Sequence, residues 1–314
     1  MKYGFGIDIG GTTVKLAFFD STGLLLEKWE IPTVTAGEGQ RILTDIAASI
    51  NAFLSEKKLD KENILGIGVG VPGPVSSLGV VNHCVNLGWG VFNIEQQLSD
   101  LTGLPVKAGN DANVAALGEC WKGGGRGYST MVLATLGTGV GGGIVVNGQI
   151  LYGAHGACGE IGHMVQNRHE TVACGCGKYG CAEQYCSATG IVRTACTMLA
   201  ATDAPSSLRS LQNLTCKDLF DAGNAGDTLA LEILETVYSN IAEFVSNVCC
   251  VLDPEVVVLG GGVSKAGQVL IDGIRRHLPK FIFHAIVGVD LCLAQLGNDA
   301  GTYGAFKLIL DSVK

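Results

Sequence analysis

The sequence has few charged residues and few aromatic ones. Asp, Glu, Lys and Arg together make up 16% of its 314 residues, and Phe, Trp and Tyr make up 6%. Hydrophobic residues reach 47%. Disordered chains combine high charge with little apolar surface, so this composition excludes intrinsic disorder and predicts a folded core. The length is enough for two domains of ordinary size.

Long runs of one kind are also missing. No basic run exceeds two residues and the formal net charge is −8, which argues against nucleic acid as the partner, because phosphate binding needs clustered Lys and Arg. No apolar run reaches the roughly 18 residues of a membrane span, and we recognise no signal peptide. We therefore expect a cytoplasmic protein without a membrane partner. In that reducing compartment its twelve cysteines should be thiols or metal ligands, not disulfides.

Glycine is abundant instead, with 46 residues that cluster where apolar runs end. Alternating strands are predicted on both sides of "DIGGTT" (Asp8–Thr13), and the same strand, Gly/Thr turn and strand return at "LGTGVGGG" (136–143). A third cluster, "LGGGV" (259–263), follows a buried strand. Apolar spacing predicts helices over Glu38–Lys58 and Asp227–Val251. The alternation indicates an α/β protein whose two halves each open with a strand–turn–strand unit.

The three glycine turns are suited to binding a nucleotide. Glycine lets backbone N–H groups approach an anion closely, threonine hydroxyls add donors, and Asp8 at a strand end could hold Mg²⁺ through water. A plain hairpin explains any one turn as well, but three together favour a phosphate site. The chain has neither the GxxxxGK[ST] loop nor the dinucleotide fingerprint, a GxGxxG that opens a helix with a ribose-binding acid after it. The candidate cofactor-binding residues are Asp8, Gly10, Gly11, Thr12, Thr13, Lys15, Gly137, Thr138, Gly139, Gly260, Gly261 and Gly262.

Cysteines are concentrated in "CGCGKYGCAEQYC" (174–186). Cys174, Cys176 and Cys181 have the spacing C-x-C-x₄-C, and His163 lies upstream. Three thiolates and an imidazole form a closed tetrahedral site, which is typical of structural Zn²⁺. A chance cluster of reduced core thiols is the simpler alternative, and a catalytic zinc would need an open position. Cys186 lies beyond the motif and is expected to be a core thiol.

The order of these elements resembles the ROK family of sugar kinases over essentially the whole chain. "GIDIGGTTVKLAFF" is similar in particular to the ATP-dependent bacterial glucokinases of that family, and the cysteine stretch matches its motif C-x-C-G-x₂-G-C-x-E. The resemblance implies an actin/hexokinase-like ATPase fold (ribonuclease H-like), with two α/β domains and an interdomain cleft. The expected domains are 1–116, to which a C-terminal helix at 299–314 returns, and 117–298, which carries the zinc loop.

The resemblance also implies an activity, the ATP-dependent phosphorylation of a hexose, most simply glucose, at its 6-hydroxyl. "GND" (109–111) alone is explained by helix capping, but in the family its aspartate, here Asp111, matches the catalytic base. The implied cofactors are ATP, Mg²⁺ and structural Zn²⁺, and the implied assembly is a homodimer or homotetramer. The implied sugar-binding residues are Gly73, Asn86, Asn110, Asp111, Glu160, His163 and Glu183.

Several alternatives remain open at the level of sequence. N-acetylmannosamine kinases use the same Asn-Asp, Glu, His and Glu set, and fructose, allose or a polyphosphate donor are further possibilities. A ROK transcriptional regulator adds an N-terminal DNA-binding module, for which the first turn at Asp8 leaves no room. A purely structural zinc protein would have no use for Asp111 and three phosphate turns.

Overall fold

The structure is a computed structural model that describes residues 2–313. Its strands are β1 (Tyr3–Ile9), β2 (Thr13–Asp20), β3 (Leu25–Pro32), β4 (Ile64–Val71), β5 (Val80–Cys84), β6 (Trp89–Asn93), β7 (Val106–Asn110), β8 (Met131–Leu136), β9 (Val140–Val146), β10 (Gln149–Ile150), β11 (Val256–Gly260) and β12 (Asp290–Leu293). Its α-helices are α1 (Ile42–Lys57), α2 (Ile94–Thr102), α3 (Asp111–Lys122), α4 (Glu183–Cys186), α5 (Ala188–Ala200), α6 (Cys216–Asn224), α7 (Thr228–Leu252), α8 (Gln268–His277) and α9 (Ala300–Ser312).

The first sheet has the strand order β3-β2-β1-β4-β7. Strands β1 to β3 form an antiparallel meander, whereas β4 runs parallel to β1 and β7 runs parallel to β4. Parallel neighbours need a crossover, and α1 and α2 supply the two crossovers. The carboxyl ends of β1, β4 and β7 therefore lie at one edge of the sheet. That edge is where ligands bind in open α/β sheets.

The two faces of this sheet are covered by different helices. Phe5, Phe18, Trp29 and Phe53 form an aromatic cluster on the face packed against α1, with Trp29 and Phe53 stacked 4.7 Å apart. On the other face α9 approaches the backbone so closely that a Cβ at Gly68 would lie 1.6 Å from the Ala305 carbonyl oxygen. Glycine at this position thus brings the C-terminal helix onto the sheet.

The second sheet has the strand order β10-β9-β8-β11-β12. Strands β8, β11 and β12 are parallel to one another, and all five residues of β11 are buried. The long helix α7 is the last helix in the connection from β10 to β11, and it buries an apolar face along its length. This hydrophobic, nearly continuous strand pattern is typical of a parallel sheet covered on both faces.

The chain forms two compact units. The first comprises the residues up to Ser129, Gly143–Gly159 and the residues from Gln295 onward, and the second comprises Thr130–Gly142 and Glu160–Ala294. The predicted α/β class and actin/hexokinase-like fold are confirmed. Within residues 2–313, no helix combines the length and apolar character that crossing a membrane requires.

One predicted boundary is wrong. The helix expected from Glu38 begins only at Ile42, because Glu38 and Gly39 adopt positive φ angles of 59° and 64°, which an α-helix does not allow. The β5–β6 hairpin was not predicted from the sequence. Its residues Val80–Asn93 contain two glycines and several polar side chains, so they show no sustained alternation.

Candidate active site

The first glycine turn joins β1 to β2 and is held by backbone contacts. The Gly10 N–H donates to the Thr13 carbonyl at 3.0 Å, and the Thr33 hydroxyl donates to the Gly10 carbonyl at 2.7 Å. Gly11 and Thr12 are exposed, and a Cβ at Gly11 would meet no atom within 4 Å. The turn is thus supported from one side and open to a ligand on the other.

Asp8 lies beside this turn at the end of β1. Its Oδ2 is 3.6 Å from the Lys15 Nζ, which also donates to the Asn298 carbonyl at 3.3 Å. A Cβ at Gly301, near the start of α9, would lie 2.7 Å from the Asp8 carboxyl carbon. Burial raises the pKa of Asp8, and the charge of Lys15 partly opposes that rise. The Asp8 carboxyl group thus lies beside the N-terminus of α9, and the net effect of its surroundings is to disfavour its ionised form.

Asn110 and Asp111 occupy the junction where β7 passes directly into α3. The Asn110 Oδ1 accepts the Asn113 N–H at 3.1 Å, so Asn110 caps the helix as the simpler interpretation predicted. Its Nδ2 donates to the Gly73 carbonyl at 3.3 Å and to the Asp111 Oδ1 at 2.9 Å. The Ala112 N–H also donates to that Oδ1, at 2.8 Å. Capping and carboxylate orientation are thus performed by the same side chain.

Gly73 and Asn86 lie on two further segments of this unit. Gly73 follows β4 in the turn "PGP" and packs against Cys84, whose Sγ donates to the Pro72 carbonyl at 3.0 Å. Burial, followed by the Asp111 carboxylate, raises the pKa of the Cys84 thiol. Asn86 is exposed in a 3₁₀ turn, Val85–Leu87. The structure thus connects Gly73 directly to Asn110 but shows no such contact for Asn86.

The second glycine turn joins β8 to β9 and is held by residues far along the chain. The Gly137 N–H donates to the Gly139 carbonyl at 2.9 Å, and the Ala188 N–H donates to the Gly137 carbonyl at 2.8 Å. The Thr189 hydroxyl donates to the Thr138 carbonyl at 3.0 Å. No motif in the sequence connects Ala188 or Thr189 to this turn, so neither is among the predicted site residues.

Glu183 contacts the same turn. Its Oε2 accepts the Val140 N–H at 2.9 Å, and its Oε1 lies 3.5 Å from the Cys174 Sγ. A Cβ at Gly139 would lie 2.3 Å from the Oε2, so a larger residue there would have to displace the Glu183 side chain. Glu183 is therefore placed between the second glycine turn and the cysteine cluster.

The predicted zinc ligands converge. The ligand atoms of His163, Cys174, Cys176 and Cys181 all lie within 4.8 Å of one another. The Cys176 and Cys181 sulfurs are 3.6 Å apart, and the Cys174 Sγ is 4.0 Å from the His163 Nδ1. Tetrahedral coordination with Zn–S bonds of about 2.3 Å places sulfurs about 3.8 Å apart. The arrangement thus fits a four-coordinate metal of zinc's size.

His163 presents its two ring nitrogens to different neighbours. Its Nδ1 faces the cysteines, whereas its Nε2 lies 4.0 Å from the Glu160 Oε2. The Glu160 side chain is 62% exposed. Burial raises the pKa of the Cys181 thiol to about 12, so a metal would have to displace its proton on binding.

The third glycine turn follows β11 and packs against the second. Gly261 has a φ of 81°, and a Cβ there would lie 2.5 Å from the carbonyl oxygen of Leu136, the residue before Gly137. Gly260 pairs with Thr135 in the sheet, and a Cβ at Gly262 would meet no atom within 4 Å. The last turn thus leaves an open backbone surface next to the second.

Comparison with known proteins identifies the family. The ROK family profile matches residues 4–312. The chain is 43% identical over 311 residues to a glucokinase of Halalkalibacterium halodurans, covering 97% of this chain and 94% of that protein. The fold is similar to a ROK hexokinase from Thermus thermophilus, with a TM-score of 0.77, 30% identity and coverage of 98% of this chain and 97% of the other.

A third relative is a ROK family glucokinase from Streptomyces griseus, solved in complex with glucose and AMPPNP. Its TM-score is 0.71 at 29% identity, and the match covers 98% of each chain. In all three comparisons the likeness extends over nearly the full length, as it does in the profile match. The family resemblance inferred from the motifs is therefore confirmed, and the protein belongs to the ROK family.

Proposed function

We propose that the protein is an ATP-dependent hexose kinase that transfers the γ-phosphoryl group of ATP to the 6-hydroxyl of glucose. Full-length relatives named as glucokinases, one solved with glucose and a nucleotide analogue, support this substrate pair. The observation that carries the proposal is the oriented carboxylate of Asp111. It lies at a strand–helix junction on the ligand-binding edge of the first sheet.

Asp111 would act as the general base. Phosphoryl transfer depends mainly on positioning and on stabilising charge, so a carboxylate need only orient the sugar hydroxyl and accept its proton as the new P–O bond forms. The donors from Asn110 and Ala112 both bind Oδ1 and so set the direction of the carboxyl plane. Asn110 uses both N–H bonds of its amide on protein acceptors, so we expect it to accept a hydrogen bond from the sugar through Oδ1.

The remaining family residues would bind the other sugar hydroxyls. These are Gly73 through its backbone, Asn86, Glu160, His163 and Glu183. Carboxylates, an amide and an imidazole suit a neutral ligand that is rich in hydroxyl groups. When a bound sugar covers such polar groups, a ligand that leaves one of them unpaired is discriminated against strongly.

The three glycine turns would bind the nucleotide. Exposed backbone at Gly11 and Gly262 can approach phosphate oxygens or a ribose without a side chain intervening, and the exposed Thr12 adds a hydroxyl donor. Asp8, kept in place by Lys15 and the start of α9, would bind Mg²⁺ through water. When bound, Mg²⁺ neutralises charge on the phosphates.

We further propose that the Cys₃His cluster binds one structural Zn²⁺. The test is to measure zinc per chain in protein purified without chelators, and to compare Cys176→Ser, which removes an exposed ligand. We expect one zinc per chain in the natural protein and loss of zinc in the variant. A natural protein that neither contains nor takes up zinc would contradict the assignment.

The function is tested by ADP release with Mg-ATP and, in turn, glucose, N-acetylmannosamine, N-acetylglucosamine, fructose and allose. Asp111→Asn keeps the side-chain size and the Oδ1 acceptor, and should lower kcat by about 10²- to 10⁴-fold. Asp45→Asn, in the first turn of α1, is the matched control and should retain activity. Turnover of N-acetylmannosamine alone would keep the mechanism and change the substrate, whereas no turnover with any sugar would overturn the hexose kinase assignment.

Three further expectations remain predictions. We propose that the protein is a homodimer or homotetramer in the cytoplasm, as is usual for the family. We also propose that its domains are 1–116 with 299–314, and 117–298. Light scattering after gel filtration tests the proposed assembly, since it distinguishes the mass of one chain from twice or four times that mass.

A further inference from the structure

We propose that the segment Glu183–Thr189 supports the second glycine turn, so that the metal cluster controls nucleotide affinity as well as the sugar site. Glu183, Ala188 and Thr189 all bind the turn or its next residue through the hydrogen bonds described above. The inference rests on the proposed role of that turn in binding ATP. It assigns Thr189 as a positioning residue for the nucleotide.

The support begins at the metal ligands. Glu183 lies two residues after Cys181, and its carboxylate is 3.5 Å from the Cys174 Sγ. Cys181 is also attached on its other side, since it forms a β-bridge with Val165, and the Ala182 N–H donates to the Met164 carbonyl at 2.8 Å. Cys181 is therefore held in place both by the cluster and by the segment that follows His163.

The support ends at the turn. From Cys181 to Thr189 the chain passes through the short helix α4 into the first turn of α5, where Ser187 caps α5 by accepting the Gly190 N–H at 2.9 Å. The Ala188 N–H and the Thr189 hydroxyl point back to the Gly137 and Thr138 carbonyls. Two consecutive peptide units of the turn are thus oriented by one helix end.

Orientation of these peptide units matters for an anion. In a planar trans peptide the C=O and the N–H point in opposite directions. A carbonyl that points away from the phosphate site therefore directs the N–H of the same peptide unit towards that site. Fixing the Gly137 and Thr138 carbonyls therefore fixes the N–H groups of Thr138 and Gly139. Pre-orientation of this kind lowers the entropic cost of ordering the turn when the anion binds.

Thr189 allows a clean test, because its side chain is exposed and its replacement should leave the fold intact. Thr189→Val removes the donor at nearly constant shape, and Thr189→Ser restores it. Thr197→Val is the matched control, since the exposed Thr197 on the same helix donates only to the Arg193 carbonyl of that helix, at 2.9 Å. The measurement is the dissociation constant of Mg-AMPPNP by calorimetry, without sugar.

We expect Thr189→Val to weaken Mg-AMPPNP binding by about three- to tenfold, the effect of one neutral hydrogen bond. Thr189→Ser and Thr197→Val should bind as the natural protein does, and the KM for the sugar should stay unchanged in all three. Equal affinity in Thr189→Val and Thr197→Val would overturn the inference. Thr189-dependent binding in a protein that phosphorylates none of the sugars would support the inference and reject the proposed substrate.

The coupling to the metal has its own readout. Removing the metal with a chelator should speed amide hydrogen exchange at Val140, whose N–H donates to Glu183, and should weaken Mg-AMPPNP binding. The Gly10 N–H, which donates within the first turn, is the internal control and should keep its protection. Unchanged exchange at Val140 after the metal has left would contradict the coupling.

Discussion

The first and second glycine turns have similar sequences but different supports. The first is closed by backbone contacts within the N-terminal meander, and its middle residues are exposed. The second depends on Glu183, Ala188 and Thr189, which follow it by more than forty residues. Only the second is attached to the cysteine cluster.

The nucleotide-binding role proposed for both turns would thus be met with two kinds of rigidity. A hairpin such as β1–β2 is local, so its turn forms as soon as the two strands pair. The second turn also joins neighbouring strands, β8 and β9, but it has additional hydrogen bonds to Glu183, Ala188 and Thr189, which are distant in the sequence. We expect the first turn to respond to changes in its own residues, and the second to respond also to changes far away in the sequence.

Among changes close to the two turns, the largest expected effect comes from Asp8→Asn beside the first turn. Losing the carboxylate that would bind Mg²⁺ should lower kcat by about 100-fold or more. The same change should raise the melting temperature at neutral pH, because burial raises the pKa of Asp8 and the ionised form therefore destabilises the fold.

The sign follows from proton binding. When a carboxyl group has a raised pKa in the folded state, its contribution to the stability of the protein is lost as pH rises from about the usual pKa of 3.8 through the raised pKa. The stability gain of Asp8→Asn should therefore shrink as pH is lowered through that window. A variant that is less stable than the natural protein at neutral pH would contradict this account.

A pair of glycine substitutions separates the two turns directly. Gly11→Ala adds a methyl group into open space, so it should weaken nucleotide binding without lowering the melting temperature. Gly139→Ala places its Cβ 2.3 Å from the Glu183 Oε2 and must displace that side chain. It should lower both the melting temperature, by several degrees, and nucleotide affinity, by about tenfold. Equal melting temperatures for the two variants would remove the distinction between the turns.

The smallest expected effect concerns Glu170, which lies in the loop between His163 and Cys174. Glu170 accepts hydrogen bonds from Arg193 at 2.7 Å and from the Tyr185 hydroxyl at 2.5 Å, joining the loop to α4 and α5. The Arg193 side chain and the Tyr185 hydroxyl lower the pKa of Glu170 to about 2. Glu170→Gln should lower the melting temperature by about 2 °C at neutral pH.

The pH dependence gives the control for this variant. Stability from a carboxyl with a lowered pKa is complete above its usual value, 4.5 here, and is lost as pH falls toward about 2. The difference in stability between Glu170→Gln and the natural protein should therefore decrease below pH 4.5. Acid release of a bound metal affects both proteins alike and cancels in the difference. A constant difference across this range would exclude the ionised Glu170 as its source.

Much of the site could be predicted because its residues are close in sequence. The C-x-C-x₄-C spacing brings Cys174, Cys176 and Cys181 together through their own loop, and the structure places their sulfurs beside the His163 Nδ1. The strand–turn–strand units were predicted from alternation alone and are confirmed. For Asn110, capping is confirmed by the structure, and sugar binding stays a prediction.

Other features depend on contacts that no local pattern announces. Thr189 lies on an ordinary helix turn, and only the fold brings its hydroxyl to the Thr138 carbonyl. Gly68 looks like any strand glycine until α9 is seen packed against it. Such contacts join residues separated by tens to hundreds of positions, where periodicity and spacing carry no information.

The sequence by itself determined the class of fold, the members of the Cys₃His cluster and the positions of the three turns, because these depend on alternation, glycine and short spacings, and the order of its motifs indicated the family. The tertiary structure decided which side chains support each turn and which direction each carboxylate faces. The physical reason is that hydrogen bonds and close packing depend on distances of a few ångströms, and for residues far apart in the chain only folding sets those distances.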